Sequence, residues 1–168
     1  MPEAEGSMLR WLWLTLLVIL LDQGSKQLAL NLLQMHESVY VMPFFNFTLL
    51  TNPGAAFSFL SQQDGWQRWL FIALALVVSG VLLVWLSRLQ REEGWTAVAL
   101  ALILGGALGN VIDRIFRGAA LFQGDVIDFI HLHYQHHFFP AFNIADSAIS
   151  VGVALMLFDS LVLSRKRG

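Results

Sequence analysis

Two long uncharged stretches constrain the fold of this chain more than any other feature of its sequence. Residues 69–87 and 95–112 contain no charged side chain, and each is long enough to cross the roughly 30 Å hydrocarbon core of a bilayer as a helix. Two further apolar stretches, residues 11–33 and 141–164, are each interrupted by only two charged residues. The sequence therefore predicts an all-α membrane protein, a bundle of four transmembrane helices in which residues 1–168 form a single membrane domain.

Composition agrees with a membrane protein and excludes several kinds of chemistry. Hydrophobic residues make up 57% of the chain and charged residues only 13%, against about 25% charged residues in ordinary soluble domains. The net charge is −2, and nothing in the sequence resembles a nucleic-acid footprint. The chain has no cysteine, which excludes a disulfide, a thiolate nucleophile and a cysteine-ligated metal.

The distribution of basic residues predicts how the bundle is oriented. Arg10, Arg88, Arg91 and the C-terminal residues 165–167 hold six of the ten Lys and Arg residues. Because positive residues stay on the cytoplasmic side of a membrane, both termini and the short loop between the second and third spans are predicted to be cytoplasmic. The two long connections then lie on the extracytoplasmic side; they are residues 34–68 and 113–140.

The first long connection has the pattern of a small β-sheet. Residues 45–49 alternate apolar and polar side chains, as a half-buried strand does, and residues 39–41 are the predicted partner strand. The Asn-Pro-Gly sequence at 52–54 indicates a turn, and residues 55–60 are again strand-like. We expect a small extracytoplasmic sheet that rests on the outer membrane face.

Two aspartates in apolar surroundings, Asp128 and Asp146, are candidates for catalysis. A charge within a bilayer span costs roughly 2.5–3.5 kcal/mol on insertion scales, so a carboxylate in such a place indicates a task. Two neighbouring carboxylates cannot both ionise easily and tend to share one proton. The ionised member can act as a general base on water while the protonated member polarises a peptide carbonyl. A second interpretation stays open, in which each aspartate caps a helix or pairs with an arginine.

Other polar residues are predicted at the same membrane level: Asn52, Asn110, Asp113, Arg114 and Asn143. A transmembrane substrate must be unwound locally before cleavage, and the N–H and C=O groups that this exposes need partners in lipid. Asparagine and arginine side chains supply such partners, so the three asparagines and Arg114 are candidate clamps for an extended substrate. The alternative is that they only hold the helices to one another.

Three other patterns have structural interpretations. Asp22 and Lys26 are spaced i, i+4 with the acid first, which predicts an ion pair that ties the first helix to the others. A small-residue face, formed by Gly105, Gly106 and Gly109, predicts a close approach between helices. The second acid of the fourth span, at position 159, is expected to contact water near the cytoplasmic end of its helix and has no predicted role.

Four histidines, at positions 131, 133, 136 and 137, raise the alternative of a metal site. Their spacing matches known ligand motifs only loosely, and the chain has no HExxH motif. A solvated or interfacial position is the preferred interpretation. No metal and no cofactor is predicted.

Five short motifs occur in order along the chain: LDQGSK (21–26), NPGAAFSF (52–59), GGALGNVIDR (105–114), VIDF (126–129) and FNIADS (142–147). Together they resemble the lipoprotein signal peptidases, also called signal peptidase II, and the resemblance covers nearly the whole chain. It implies a bacterial inner-membrane aspartyl protease that removes the signal peptide from diacylglyceryl-modified prolipoproteins, cutting just before the lipid-bearing cysteine. It also implies a four-helix membrane bundle with a small extracytoplasmic β-sheet that cradles the substrate.

Carried over residue by residue, the resemblance assigns the catalytic pair to Asp128 and Asp146. The positions that it assigns to substrate binding are Asn52, Gly54, Asn110, Arg114 and Asn143, and those that it assigns to structural support are Asp22, Lys26 and Asp113. The chain departs from the family at residues 119–124, which are extra residues between the Asp-Arg pair and the catalytic motif. Asp125 lies close to Asp128 in sequence; we prefer Asp128 because its Asp-Phe follows a Val-x step, as in the family.

The sequence thus predicts a monomeric intramembrane aspartyl endopeptidase whose active site lies near the extracytoplasmic face. Its predicted partners are lipid-modified prolipoproteins and membrane lipids, with no nucleic acid. Three other interpretations remain: a metal-dependent membrane protease that uses the histidines, a small transporter in which Asp128 and Asp146 relay protons, and a structural membrane subunit.

Overall fold

Four apolar helices dominate the computed structural model, which describes residues 7–54 and 66–163. Within these ranges, each of the four is long and apolar enough to cross a membrane when the first is counted from Met8 and the fourth through Val162. They are α1 (Leu12–Leu32), α2 (Trp66–Arg88), α3 (Gly94–Phe116) and α4 (Ile144–Phe158). A short 3-10 turn, Met8–Trp11, precedes α1, and a π-helical turn, Asp159–Leu163, extends α4. The predicted four-helix membrane bundle is confirmed.

A small antiparallel sheet accompanies the helices. Its strands are β1 (Ser38–Met42), β2 (Phe45–Asn52), β3 (Val126–Tyr134) and β4 (His137–Phe138), adjacent in that order. The predicted pairing within the first long connection forms, with Val39 opposite Phe47. β3 is a strand that the sequence pattern does not predict, and it lies against β2. The strand-like residues 55–60 lie outside the described residues.

The central helix of the bundle is α3, which packs against α1, α2 and α4. Glycines allow this close packing: a Cβ atom on Gly106 would overlap the carbonyl oxygen of Ala145 in α4. A Cβ atom on Gly105 would lie 2.7 Å from the Cβ atom of Val18 in α1, and Gly109 faces α1 with equally little room. The close approach predicted from these three glycines is confirmed.

Two apolar cores hold the bundle and the sheet together. One lies toward the start of α1 and contains fully buried side chains from α2 and α3, including Leu86, Leu100 and Leu104. The other joins the end of α1 to the sheet and is formed by Ala29, Leu49, Ile127 and Phe129. The second core matters for the site, because it fixes one face of β3 against the end of a transmembrane helix.

Asp159 is buried, which corrects the expectation that it contacts water. Its side chain is 6% exposed and accepts a hydrogen bond of 2.6 Å from the hydroxyl of Thr96 near the start of α3. The correction has a physical reason: α4 crosses the bundle beside α3, so the last residues of α4 meet the first turn of α3. A buried carboxylate must find a hydrogen-bond donor, and Thr96 supplies one.

Candidate active site

Asp128 lies on β3, opposite Leu50 of β2, and its side chain is 4% exposed. Alternate residues of a strand point to opposite faces, so Ile127 and Phe129 enter the apolar core beside α1 while Asp128 turns toward the other face. That face meets the first turn of α4. The strand therefore carries one carboxylate from the sheet to the helical bundle.

Asp146 lies in the first turn of α4, where it completes a capping box with Asn143. The Asn143 side-chain oxygen accepts a hydrogen bond of 2.9 Å from the backbone N–H of Asp146. In return, Oδ2 of Asp146 accepts a hydrogen bond of 3.2 Å from the backbone N–H of Asn143. Such reciprocal bonds satisfy the free N–H groups at a helix start, and here they also fix the position of the carboxylate.

Asn143 also links the two aspartates. Its side-chain Nδ2 donates a hydrogen bond of 2.7 Å to Oδ1 of Asp128, and the Asn143 side chain is fully buried. One residue therefore contacts both carboxylates, its amide nitrogen on Asp128 and its backbone N–H on Asp146. The structure brings Asp128 and Asp146 together at the junction of β3 and α4.

Two further asparagines donate to the remaining carboxylate oxygens. Asn52 donates a hydrogen bond of 3.3 Å from Nδ2 to Oδ2 of Asp128, and Asn110 donates one of 2.8 Å from Nδ2 to Oδ1 of Asp146. The orientation of Asn52 is set by the next turn, in which the backbone N–H of Gly54 donates to Asn52 Oδ1 over 2.9 Å. Gly54 has φ +106, a conformation that glycine adopts without strain.

The environment of Asp128 favours its protonated form. Burial raises the pKa of the Asp128 carboxyl to about 7, and the nearby negative charge of Asp146 contributes to that rise. The hydrogen bonds that Asn52 and Asn143 donate act in the opposite direction, because they stabilise the ionised carboxylate. A group with this pKa holds its proton through much of the neutral range, as one member of a proton-sharing pair requires.

Arg114 carries a hydrogen-bond donor that the described part of the protein does not use. Nη1 of Arg114 donates to the backbone oxygen of Asn110 over 3.3 Å, while its buried Nε has no hydrogen-bond partner among the described residues. The guanidinium carbon lies 5.3 Å from the ring centroid of Phe71. Buried donors in proteins are nearly always paired, so Arg114 stays a candidate clamp for an extended substrate.

The three residues assigned to structural support form one buried ion cluster. Nζ of Lys26 lies 2.8 Å from Oδ2 of Asp22 and 2.7 Å from Oδ2 of Asp113, and none of these side chains is exposed. The ion pair predicted from the i, i+4 spacing of Asp22 and Lys26 is therefore confirmed. The cluster reaches the site directly, because Lys26 donates to Oδ1 of Asn110 over 3.0 Å and Asp22 accepts from the backbone N–H of Ala145 over 3.0 Å.

Two members of this cluster are absent from the sequence prediction. Arg117 pairs with Asp113 over 2.6 Å, and the amide nitrogen of Gln23 donates to Asp113 over 3.0 Å. The same i, i+4 rule that identified the first pair would have found Arg117, four residues after Asp113. Gln23 gives no such signal, since its partner lies 90 residues away along the chain.

Asp125 and the histidines stand apart from the aspartate pair. Asp125 forms an ion pair of 2.7 Å with Arg68 of α2, so the structure separates it from Asp128 although they are three residues apart. His131 contacts the hydroxyl of Thr48 over 3.2 Å, and burial lowers the pKa of its imidazole. Among the described residues, no three His, Asp or Glu side chains are grouped so that they could hold a metal ion.

Four apolar helices, a docked sheet and two neighbouring carboxylates, of which Asp128 is buried and Asp146 half-buried, define the class of membrane-embedded aspartyl proteases. A family model described as signal peptidase (SPase) II matches residues 14–162 of this chain. The chain belongs to the signal peptidase II family. It is a protease of that family, and the resemblance identified from the five motifs is confirmed.

Relatives and solved structures agree with this assignment. The lipoprotein signal peptidase of Pseudomonas putida is 55% identical over 153 residues, which covers 90% of this chain and 86% of the relative. That of Pseudomonas syringae pv. tomato is 53% identical, with 100% of this chain and 97% of the relative covered. Two solved structures described as bacterial membrane enzymes are each 30% identical, with TM-scores of 0.75 and 0.76. They cover 90% and 91% of this chain, and this chain covers 90% and 93% of theirs.

Proposed function

We propose that this protein is an aspartyl endopeptidase that cleaves the signal peptide from lipid-modified prolipoproteins just before the lipidated cysteine, with Asp128 and Asp146 as its catalytic pair. The observation that supports the pair most directly is the double contact of Asn143. Its amide nitrogen donates to Asp128 over 2.7 Å, and its backbone N–H donates to Asp146 over 3.2 Å. A shared polar neighbour holds the two carboxylates close to each other.

The pair hydrolyses a peptide bond by dividing two tasks. The ionised carboxylate takes a proton from water as the water oxygen attacks the scissile carbonyl carbon. The protonated carboxyl gives its proton to the carbonyl oxygen, which stabilises the tetrahedral intermediate. When the intermediate collapses, the carbon–nitrogen bond breaks and the amine leaves with a proton from the pair. The pKa of about 7 at Asp128 fits the protonated role at the start of this sequence.

Binding of the substrate depends on the polar side chains around the pair. An extended peptide in the membrane offers N–H and C=O groups that cost several kcal/mol each when they lack partners. The buried Nε of Arg114, which has no partner among the described residues, is available to a substrate carbonyl. Asn52 and Asn110 carry amide groups that already touch the carboxylates, so they hold the substrate near the reacting atoms.

The substrate enters from the lipid beside α4. A cavity of about 460 Å³ there is lined by Phe142, Asp146, Ser147, Ser150 and Val151. Catalytic Asp146 forms part of its wall, while Val151 is 52% exposed on the outward face of the helix. A diacylglyceryl group can remain among the membrane lipids while the peptide next to it reaches the pair.

We place the protein in the bacterial inner membrane as a monomer with both termini in the cytoplasm. The supporting observation is the positive-inside rule applied to Arg10, Arg88 and Arg91. The sheet and the aspartate pair then face the extracytoplasmic side, where prolipoproteins emerge. Two separate fusions to the C-terminus test this orientation, one with a fluorescent reporter that works in the cytoplasm and one with a periplasmic phosphatase. We expect fluorescence from the first, and phosphatase activity from the second would contradict the orientation.

The central experiment follows cleavage of a purified lipidated precursor by its gel shift. We expect Asp128→Asn and Asp146→Asn to abolish cleavage, because neither variant can form the singly protonated pair, while both remain folded and inserted. Glu37→Gln is the matched control, since Glu37 is exposed and immediately precedes β1. β1 is an edge strand and is separated by β2 from β3, which carries Asp128. Full turnover by either aspartate variant, at wild-type protein levels, would falsify the assignment.

A further inference from the structure

The loop between α3 and β3, residues 118–125, is folded back tightly on the end of α3; we name it the return loop. Backbone N–H groups of Phe122 and Gly124 donate to the carbonyl oxygens of Ile115 and Arg114, over 2.9 and 3.0 Å. A Cβ atom on Gly124 would overlap the carbonyl oxygen of Asp113. The return loop therefore has a defined conformation that depends on glycine at this contact.

The return loop contacts the first turn of α2 at two points. Oδ1 of Asp125 accepts hydrogen bonds from Nε and Nη2 of Arg68 over 2.9 and 2.7 Å. The ring of Phe122 stacks on Trp69, with centroids 4.7 Å apart and planes at 25°. Phe122 adopts φ +67, a left-handed conformation that is uncommon for a bulky side chain and persists only where its surroundings enforce it.

The same end of α2 also reaches the candidate active site. A Cβ atom on Gly54 would lie 2.6 Å from the ring of Phe71, so this ring rests directly on the Gly54 backbone. The guanidinium carbon of Arg114 lies over the same ring, 5.3 Å from its centroid. Phe71 thus touches two residues assigned to substrate binding, and it is only three residues from Arg68.

We propose that the return loop positions the substrate-binding residues by holding the outer turn of α2, with Arg68, Phe122 and Asp125 as positioning residues that act through Phe71. This inference rests on the proposed function, because it assigns substrate binding to Gly54 and Arg114. It gives a role to residues 119–124, which lie outside the family's motifs. Arg68 and Asp125 pair with each other and Phe122 stacks on Trp69, so we expect the chemical step itself to be left intact when they change.

Steady-state kinetics on a lipidated precursor test the inference. We expect Asp125→Asn and Arg68→Gln each to raise KM about fivefold, the effect of losing a partly exposed ion pair, while kcat stays within about twofold of wild type. The charge-reversed double variant, Arg68→Asp with Asp125→Arg, should restore KM. Leu121→Ala is the control, because Leu121 belongs to the same loop and is 61% exposed.

A double-mutant cycle tests the route through Phe71. Phe71→Leu should raise KM to a similar extent. The double variant Phe71→Leu with Asp125→Asn should raise KM no more than the larger of the two single changes, because both changes disturb the same positioning of the substrate-binding residues. An unchanged KM in Asp125→Asn would overturn the inference. A loss of kcat and of thermal stability that the charge-reversed variant does not restore would also overturn it, because that result is expected of a contact that only supports the fold.

The reference variant Asp128→Asn separates this inference from the proposed function. If Asp128→Asn cleaves the precursor normally, the proposed catalytic pair fails, whatever the return-loop variants do. If Asp128→Asn is inactive and the Asp125→Asn variant has wild-type KM, only the role of the return loop fails.

Discussion

Nδ2 of Asn143 lies 2.7 Å from Oδ1 of Asp128, and this hydrogen bond joins the cap of α4 to β3. Both side chains are almost completely buried. The same asparagine caps the helix that carries Asp146, so the position of one carboxylate depends on the position of the other.

The pH dependence of cleavage should report the proton on Asp128. Because the pKa of Asp128 is raised to about 7, we expect kcat/KM to fall about tenfold per pH unit above that midpoint, as the shared proton is lost. Asn52 donates a hydrogen bond that stabilises ionised Asp128, so Asn52→Ala should raise this pKa and move the alkaline limb to higher pH. A limb that moves to lower pH would contradict the proposed arrangement.

Stability should depend on pH in the direction opposite to that of an ordinary salt-bridged aspartate. The folded protein holds a proton on Asp128 up to about pH 7, whereas the unfolded chain loses it near pH 4. The free energy of unfolding should therefore decrease as pH rises between these values. Thermal unfolding in detergent micelles measures the slope, and Asp128→Asn should reduce it.

Lys26→Met should strongly destabilise the protein. It would leave Asp22 and Asp113 buried with no Lys26 charge beside them, and breaking such a buried ion pair costs about 3–5 kcal/mol. Chemical unfolding in micelles measures the loss. The control is Arg91→Met, since Arg91 is exposed in the turn between α2 and α3, and we expect a change within about 0.5 kcal/mol. Equal stability of the two variants would show that the ion cluster does not support the fold.

Gly106→Ala should separate α3 from α4 and reduce both stability and cleavage. The added Cβ atom meets the backbone oxygen of Ala145, which cannot rotate away, and overpacking of this kind costs about 1–3 kcal/mol. Gly80→Ala is a matched control within α2, because no atom lies within 4 Å of the position of its Cβ. There alanine should be neutral or add up to about 1 kcal/mol through helix propensity. Melting temperature and gel-shift activity should both separate the two variants.

Arg114→Lys should impair cleavage although the positive charge is kept. Arginine offers five donors in a rigid fork and stacks on Phe71, whereas lysine offers a single charged group on a flexible stem. We expect kcat/KM to fall at least about tenfold, with the rise in KM as the larger part, while Arg91→Lys leaves both constants unchanged. Wild-type kinetics in the Arg114→Lys variant would remove Arg114 from substrate binding.

The membrane helices and the strand pair in the first long connection could be predicted because their signals are local. An uncharged stretch of the right length indicates a span, and the alternation over residues 45–49 indicates a strand beside its neighbour at 39–41. The i, i+4 spacing of Asp22 and Lys26 is local in the same sense. Each of these inferences needs only residues within one element or one turn.

β3 could not be predicted from the sequence, because its polar residues do not recur at every second position. Asp128 is at an even position, while His131 and His133 are at odd ones, so strict alternation fails along the strand. Asp128 therefore points to the face opposite that of the two histidines. The pairing of β2 with β3 is also irregular, since two residues of β2 between Phe47 and Leu50 lie opposite one residue of β3. An irregularity of this kind re-aims side chains, and here it lies beside the residue that faces the helices.

The partners of Asp159 and Asp125 could not be predicted from the sequence for a different reason. Thr96 lies 63 residues before Asp159, and Arg68 lies 57 residues before Asp125, so only the packing of helices and loops determines these contacts. An acid near the end of a span therefore gives no sign, from sequence alone, of whether it meets water or a hydroxyl group.

The two carboxylates come from different kinds of element, Asp128 from a strand and Asp146 from a helix start. A chain whose helices have inserted but whose β3 has not yet docked holds only one of the two proposed catalytic carboxylates at the site. On this assignment, such a chain cannot cleave a neighbouring polypeptide, because hydrolysis requires the contact between β3 and the start of α4.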